Sequence, residues 1–339
     1  SPQAGLARAG WLQHAAHLAE CLIWPDQEVP SEWTLLKTDH HPPLAVASPS
    51  SPAELRALHR GEPLTVAAEE RISPATETLF DSKFESDQTE ESPPLLLRAA
   101  VLVSLFNYAD RIEAALDSVA SQTEKALELV VVDDHSGDQG AMIVRDWMQR
   151  HASRFERCLL LKHVTNAGLA AARNTAFQAS KAPWGFVLDA DNALFPQAVQ
   201  SCMELADHSS ASVAVVHPLV AVEAEAGRAD EQRSLVGLAP WQNDRFRAGN
   251  YIDAMALVRR SAWEAVGGYT HIEGGWEDYD FWCKLVESGF HGMQCPSIQA
   301  VYRSHSESMT MHSTSRLQRS LSRTLQDRHP WLELPLASD

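Results

Sequence analysis

Short apolar runs alternate with amphipathic stretches from residue 96 onward, and this alternation limits the fold more than any other feature of the sequence. Residues 99–106 are apolar apart from one serine, as expected of a strand that is buried on both faces. Residues 110–122 follow with apolar side chains at helical spacing. The same criteria predict strands at 127–132, 158–164 and 184–188 and helices at 139–151 and 169–180. This order predicts an α/β fold with a mostly parallel central sheet and helices on both faces.

Polar side chains follow the apolar runs at the positions where the predicted strands end. These clusters lie at residues 104–108, 133–138 and 189–192, and ligands of such sheets bind beyond the carboxyl ends of the strands. Carboxylates crowded at one edge repel each other, and a divalent cation shared with diphosphate oxygens would remove that repulsion. For Asp138 alone, capping of the next helix is the favoured explanation. The pair Asp189 and Asp191 favours a cation site.

The formal charge of −17 excludes few small ligands but argues against a nucleic-acid partner. Binding to a phosphate backbone relies on clustered Lys and Arg side chains. An acidic protein that holds a diphosphate needs a cation between the two. The charge therefore favours a metal-dependent site for a nucleotide over a nucleic-acid interface.

The five cysteines are widely spaced, with no Cys-x-x-Cys pair, and indicate neither a disulfide framework nor a zinc site. No apolar run reaches the ~20 residues that span a bilayer, and no signal peptide opens the chain. We therefore expect a cytoplasmic protein. The chain begins with Ser, which leaves open that it is part of a longer polypeptide.

Four regions are predicted along the chain. Residues 1–80 form an irregular, partly helical N-terminal extension, with helical spacing at 10–22, and 81–95 form an acidic linker. Residues 96–312 form the catalytic domain, and 313–339 form a helical tail. The arginines of this tail, Arg316, Arg319 and Arg323, predict a solvated face. Contact with anionic lipid or with another subunit is the alternative.

Several motifs occur in series in the catalytic region. They are SLFN at 104–107, VVDDHSGD at 131–138, NAGLAAARN at 166–174, DAD at 189–191, GGWEDYDFW at 274–282 and YRSHSESMT at 302–310. In this order they resemble the motifs of the family 2 glycosyltransferases. The resemblance covers about two-thirds of the chain and implies the GT-A fold and transfer of a sugar with inversion at the anomeric carbon.

The resemblance also implies a role for individual residues. It assigns the role of catalytic base to Asp278, with Glu277 and Asp280 as alternatives. It assigns the coordination of a Mn²⁺ or Mg²⁺ ion to Asp191 and His305. Contacts to the nucleotide-sugar donor, with a UDP-sugar favoured, are implied for Ser104, Phe106, Asn107, Asp134, Arg173, Asp189 and Ala190. Trp276 and Glu277 would contact a carbohydrate or glycoconjugate acceptor. Residues 218–250 would either form a lid over this acceptor or be an ordinary surface loop.

Three other interpretations use the same acidic residues. A phospho-acceptor signalling domain would need its acidic pair after the first strand, whereas here the pair follows the second. A nucleotidyltransferase would need a Gly-rich basic loop at 105–110, which the sequence lacks. A nucleotide-binding module that has lost turnover fits less well, because every expected polar position is occupied.

Overall fold

The computed structural model describes residues 34–38, 41–46, 74–82, 97–224, 234–305 and 315–335. The predicted helical segment at 10–22, most of the predicted linker, residues 225–233 of the expected acceptor region and the side chain of Arg316 lie outside these residues. Within the described part of the chain, no helix is both long and apolar enough to cross a membrane.

The strands and helices are numbered here in chain order. The strands are β1 (Thr34–Thr38), β2 (His41–Val46), β3 (Thr76–Asp81), β4 (Ala99–Leu105), β5 (Leu127–Asp133), β6 (Arg157–His163), β7 (Trp184–Asp189), β8 (Ala193–Leu194), β9 (Val213–Ala224), β10 (Ser234–Val236), β11 (Leu257–Arg259) and β12 (His291–Ser304). The α-helices are α1 (Ile112–Ala120), α2 (Gly140–His151), α3 (Leu169–Ala179), α4 (Ala198–Asp207), α5 (Arg260–Ala265), α6 (Glu277–Glu287) and α7 (Ser315–Arg328).

One ten-stranded sheet forms the centre of the fold, and β1 and β2 pair separately as an antiparallel hairpin. The first half of the ten-stranded sheet has the strand order β6-β5-β4-β7, and all three of these strand pairs are parallel. This half contains the strands predicted from the apolar runs, and the connecting helices lie where the sequence predicted them. The α/β fold with a parallel core is therefore confirmed.

The second half of the sheet is mixed. β11 lies antiparallel to β7 and β9, whereas β12 runs parallel to β9 over most of its length. The short strand β8 pairs antiparallel with β12. Because β11 is antiparallel to β7, its N-terminal end lies at the same edge of the sheet as the carboxyl end of β7.

Alternate residues of the strands face two separate cores. Val101, Val103 and Leu129 lie in one core with residues of α1, α2 and α4. Leu102 and Val130 lie in the other core, which includes residues of α3, α5, α6 and α7. Helices on both faces explain why these strands are apolar at every position.

Two boundaries differ from those expected from the sequence. β3 lies inside the predicted N-terminal extension, yet it pairs antiparallel with β6 and forms one end of the sheet. The predicted tail is helical, but Leu321 and Leu325 of α7 are fully buried in the second core. Both segments are too short to reveal tertiary pairing by their own pattern. Arg319 and Arg323 on α7 are exposed, as predicted for a solvated face.

The four described cysteines are buried and unbridged. They are Cys158, Cys202, Cys283 and Cys295.

Candidate active site

A cleft of about 750 Å³ opens at the carboxyl ends of β4, β5 and β7. Eleven of the twelve predicted site residues line it: Ser104, Phe106, Asn107, Asp134, Arg173, Asp189, Ala190, Asp191, Trp276, Glu277 and Asp278. His305, the twelfth, lies next to it through a contact with Asp191. The structure thus brings the predicted residues together, while their individual roles remain predictions.

The loops after β4 and β5 are joined by hydrogen bonds. The backbone N–H of Asn107 donates to Ser136 Oγ at 3.0 Å, and Asn107 Oδ1 accepts from the N–H of Gly137 at 2.9 Å. Asn107 and His135 both adopt left-handed backbone conformations, with φ of 56° and 63°. Such conformations are uncommon for residues other than glycine and cluster at functional sites.

Two side chains at the end of β4 are poised toward a ligand. Ser104 Oγ is buried and has no hydrogen-bond partner in the described structure, although buried hydroxyls are normally paired. The Phe106 ring, by contrast, is 45% exposed. An exposed aromatic ring beside an unpaired hydroxyl suits a planar ligand that carries hydrogen-bonding groups.

Asp134 is buried at the end of β5, and four donors hold its carboxylate. Oδ1 accepts from His163 Nδ1 at 2.6 Å and from the N–H of Ala167 at 2.8 Å. Oδ2 accepts from Asn166 Nδ2 at 2.9 Å and from the N–H of Gly168 at 2.7 Å. A carboxylate offers about four lone-pair positions, so a hydrogen bond to a nucleotide base, as the resemblance implies, would require one of these donors to be exchanged.

Arg173 lies between two carboxylates of the cleft. Its guanidinium donates to Glu277 Oε1 at 2.8 Å and to Asp189 Oδ1 at 2.9 Å, and it lies over the Tyr269 ring. Burial disfavours the charge, but Asp189 and Glu277 outweigh that effect and raise the pKa of Arg173. Among the described residues that line the cleft, it is the one cationic side chain.

Asp191 and His305 meet beside the cleft although they lie far apart in the chain. Asp191 Oδ2 is 2.9 Å from His305 Nε2, and both side chains are buried. The ring of Tyr108 packs edge-on against His305 at 5.7 Å. Burial and the charge of Asp189 raise the pKa of Asp191, an effect that the hydrogen bond to His305 opposes.

This pair fits two neighbouring ligands of a hard divalent cation. Ligands at ~2.1 Å from a six-coordinate ion lie roughly 3 Å apart, which is the separation observed here. Among the described residues, no group of three or more His, Cys, Asp or Glu side chains could hold a metal ion. A cation at this pair would therefore need further oxygen ligands from substrate and water.

Asp278 lies in the first turn of α6 and lines the cleft. Its Oδ1 accepts from the N–H of Tyr279 and its Oδ2 from Asn250 Nδ2, both at 2.8 Å. Burial and the Glu277 carboxylate raise the pKa of Asp278 to about 7. Such a value suits a group that accepts a proton near neutral pH.

The turn that precedes α6 is unusual. Trp276 adopts a left-handed conformation with φ of 66° and follows Gly274 and Gly275, whose φ values of 92° and 113° favour glycine. Trp276 is half-buried, lines the cleft and packs edge-on against Tyr279 at 5.9 Å. This turn exposes one part of the indole to the cleft while the helix begins directly behind it.

Asp280, an alternative base, does not line the cleft. Its carboxylate is fully buried, and Oδ1 binds Arg328 Nε at 2.6 Å and His329 Nε2 at 3.0 Å. Although burial opposes ionisation, His329, Lys284 and Arg328 hold the pKa of Asp280 well below its usual range. Asp280 thus ties α6 to the C-terminal segment.

Five polar side chains of the cleft were given no individual role from the sequence pattern: Tyr108, Asn166, Asn250, Asp253 and Tyr302. Of these, Asn250 and Asp253 precede β11, whereas polar residues were expected to cluster after the strands. The signal was the polar segment directly before the apolar run at 254–258, and it becomes informative once β11 is known to be antiparallel. Burial raises the pKa of Asp253 to about 6.

The expected acceptor region contributes little to the cleft where it is described. Trp241 is buried, with its ring 4.7 Å from Phe246 and 6.0 Å from Trp282. It belongs to the second core and not to a lid. Asn250, at the end of this region, is the described residue of 218–250 that reaches the cleft.

Comparison with known proteins gives consistent matches to glycosyltransferases. A protein of Haemophilus influenzae described as an uncharacterized glycosyltransferase is 24% identical over 194 residues, 56% of this chain and 62% of that protein. The poly(ribitol-phosphate) beta-N-acetylglucosaminyltransferase TarP of Staphylococcus aureus is 32% identical over 105 residues, 30% of this chain and 31% of TarP. The alignments span less than two-thirds of each relative.

A solved structure shares the fold. S. aureus TarS 1-349, crystallised in complex with UDP-GlcNAc, superposes with a TM-score of 0.54 at 16% identity, covering 71% of this chain and 68% of TarS 1-349. The family model described as "Glycosyl transferase family 2" matches residues 100–267. The match contains Asp134, Asp189 and Asp191, while Asp278 and His305 lie beyond it. Residues 100–267 therefore belong to glycosyl transferase family 2, and the chain has the GT-A fold.

Proposed function

We propose that this protein transfers a sugar from a nucleotide-diphosphate sugar, a UDP-sugar by preference, to a hydroxyl of a carbohydrate or glycoconjugate acceptor. The transfer would be a single displacement with inversion at the anomeric carbon. One observation carries the proposal: Asp278, whose pKa is raised to about 7, opens onto the same cleft as the Asp191–His305 pair. In this proposal, one cleft would hold both the base and the leaving group.

The donor would lie along the ends of β4 and β5. The Phe106 ring offers a surface for stacking of the nucleotide base, and Ser104 Oγ offers a free donor or acceptor group. Asn107 and Asp134 would shape this end of the cleft, with Asp189 and Ala190 beside the ribose. A UDP-sugar is favoured because TarS, which has the same fold, was crystallised with UDP-GlcNAc.

Asp191 and His305 would hold Mn²⁺ or Mg²⁺, because carboxylate oxygen and a single imidazole suit hard divalent ions better than zinc. Bound there, the ion would supply Lewis-acid stabilisation of the diphosphate leaving group. Arg173 has no net charge to spare for the diphosphate, since both Asp189 and Glu277 bind its guanidinium.

The chemistry assigned to the chain is general-base catalysis. Asp278 would accept the proton of the acceptor hydroxyl as that oxygen forms a bond to the anomeric carbon. The bond from this carbon to the diphosphate breaks in the same step, and its electron pair leaves with the nucleoside diphosphate. Attack from the face opposite the leaving group gives inversion and needs one base, unlike the paired carboxylates of retaining glycosidases. Trp276 and Glu277 would meet the acceptor beside Asp278.

A thermal-shift screen with UDP, GDP, dTDP and CDP, each with and without Mn²⁺, tests the nucleotide and cation together. A ligand that binds only the folded state at ~100 times its dissociation constant stabilises by ~2.7 kcal/mol. We expect stabilisation by UDP that requires Mn²⁺. If none of the four nucleotides raised the melting temperature, the proposal would be rejected.

Transfer itself is tested with Asp278→Asn against a panel of UDP-sugars and oligosaccharide acceptors. We expect a loss of turnover of ~10²–10⁴-fold with unchanged affinity for UDP. Nucleotide binding without transfer by the native protein would favour a binding module that has lost turnover. Transfer of a nucleotidyl group would favour a nucleotidyltransferase.

A further inference from the structure

The loop that precedes β11 lines the cleft and contacts the proposed base directly. Asn250 Nδ2 donates a hydrogen bond of 2.8 Å to Asp278 Oδ2. We infer that Asn250 is a positioning residue, which fixes the orientation of the Asp278 carboxylate and stabilises its charged form. The inference rests on the proposed function for its kinetic consequence, but the hydrogen bond can be tested independently of activity.

The two oxygens of Asp278 are held from two directions. The helix backbone binds Oδ1 through the N–H of Tyr279, and Asn250 binds Oδ2, both at 2.8 Å. With one contact on each oxygen, rotation of the carboxylate about its χ2 bond would break both hydrogen bonds. Each oxygen keeps a further lone pair, so the carboxylate remains able to accept a proton from the cleft. Without Asn250, a single contact would remain.

The structure also fixes the orientation of the Asn250 amide. Its Oδ1 accepts from the N–H of Ile252 at 3.4 Å, which leaves Nδ2 for Asp278. Ile252 is buried in the second core, and Asp253 Oδ1 accepts from the N–H of Met255 at 2.8 Å. The loop is therefore anchored on the side of Asn250 that leads into β11.

The charged and titratable side chains near Asp278 change its pKa in opposite directions. After burial, Glu277 and Asp253 raise its pKa and Arg173 lowers it, while the buried Tyr269 hydroxyl lies within electrostatic reach. Asn250 adds an uncharged side-chain donor that binds the carboxylate directly. A hydrogen bond to a carboxylate favours its charged form, so removal of the amide should raise the pKa of Asp278 further.

Two substitutions separate this role from loop structure. Asn250→Ala removes the donor, and Asn250→Asp keeps the side-chain shape but replaces the donor with a like charge. Gln242→Ala is the matched control, because Gln242 is exposed, hydrogen-bonds Arg245 and lies outside the lining of the cleft. Circular dichroism and thermal melting establish that each variant is folded.

The first readout is the titration of the Asp278 carboxyl carbon by NMR, assigned through the signal lost in Asp278→Asn. We expect its midpoint to move to higher pH in Asn250→Ala, further in Asn250→Asp, and not in Gln242→Ala. An unchanged midpoint in both Asn250 variants would overturn the inference, whether or not the native protein transfers sugar.

The second readout is the pH profile of kcat/KM for transfer. Hydrogen bonds to charged groups are worth enough to change a rate by about tenfold. We expect kcat to fall by that order in Asn250→Ala at neutral pH, with the acidic limb displaced to higher pH and the KM for donor unchanged. A fall in kcat with the acidic limb in place would assign Asn250 a merely structural role and overturn the inference. An inactive native protein would reject the proposed function but leave the NMR test decisive.

Discussion

The imidazole of His305 lies 2.9 Å from the carboxylate of Asp191, although 114 positions separate the two residues in the chain. Asp191 follows β7, and His305 directly follows β12, which runs parallel to β9. The mixed half of the sheet thus brings a C-terminal histidine to the edge where the parallel half ends. Two distant motifs form one pair by strand pairing alone.

This pair predicts a cation-dependent nucleotide affinity that depends on both residues. Asp191→Asn and His305→Gln should each weaken UDP binding in the presence of Mn²⁺ by about 10-fold or more, because outer contacts alone already change metal affinity by 10–100-fold. Isothermal titration calorimetry with Mn²⁺ and with EDTA measures the effect. His208→Gln is the control, since His208 is exposed and bonds only within its own helix end. Chelator-independent binding by the native protein would contradict the prediction.

Asp278 should make activity rise as pH passes through about 7 and should make stability fall between about pH 4 and about pH 7. Its pKa is about 7 in the folded protein against an ordinary value of 3.8. The base is neutral below about pH 7, so kcat/KM should increase as pH rises through that value. Between the two pKa values the folded state holds a proton that the unfolded state has lost, so this group makes the protein less stable as pH rises.

Asp278→Asn removes that stability effect and provides its test. Thermal melts at about pH 5 and about pH 8 should show the variant gaining stability relative to the native protein at the higher pH. A constant difference between the two proteins at both pH values would show that Asp278 titrates normally.

Arg173 should be required for stability as well as for the site. Arg173→Ala would leave Asp189 and the buried Glu277 without their cation, and removal of one partner from a buried pair costs about 3 kcal/mol or more. Arg173→Lys should recover only part of the loss, because an ammonium group does not reproduce the planar fork that reaches both carboxylates. Urea denaturation measures both variants. Arg145→Ala, which removes an exposed arginine, is the control and should change the free energy of unfolding little.

The contact between α6 and the C-terminal segment should depend on pH through His329. Burial opposes charge on this imidazole, but hydrogen bonds to Asp280 and Glu287 outweigh it and raise its pKa above 6.5. Its contribution is therefore complete below about pH 6.5 and is lost as pH rises through the folded pKa. His329→Gln should destabilise by about 1.5–3 kcal/mol at mildly acidic pH and by less at alkaline pH. An equal loss in chemical denaturation at both pH values would contradict this assignment.

The sequence predicted those residues of the site that lie at the carboxyl ends of the parallel strands. Asp134 and Asp189 follow or end apolar runs that can only be buried strands, and parallel strands end at one edge. Asn250 and Asp253 precede an antiparallel strand, and strand direction depends on pairing partners that no local pattern specifies. For this reason the contact between Asn250 and Asp278 was not predicted.

The C-terminal helix shows the same limit for packing. Its amphipathic pattern predicted a helix, and α7 occupies 315–328. The pattern did not reveal that Arg328 binds the buried Asp280, because an ion pair across 48 positions leaves no local trace. The edge strand β3 was missed for the same reason.

The four donors around Asp134 have a consequence for how tightly a ligand can be held. Three of them connect the end of β5 to residues 166–168, where the chain turns into α3, and the fourth, His163, connects it to the end of β6. Association loses free energy whenever a loop must be immobilised in the complex. Here that wall of the cleft is already fixed in the free protein, so a nucleotide would meet a rigid surface and would keep more of its contact energy as affinity.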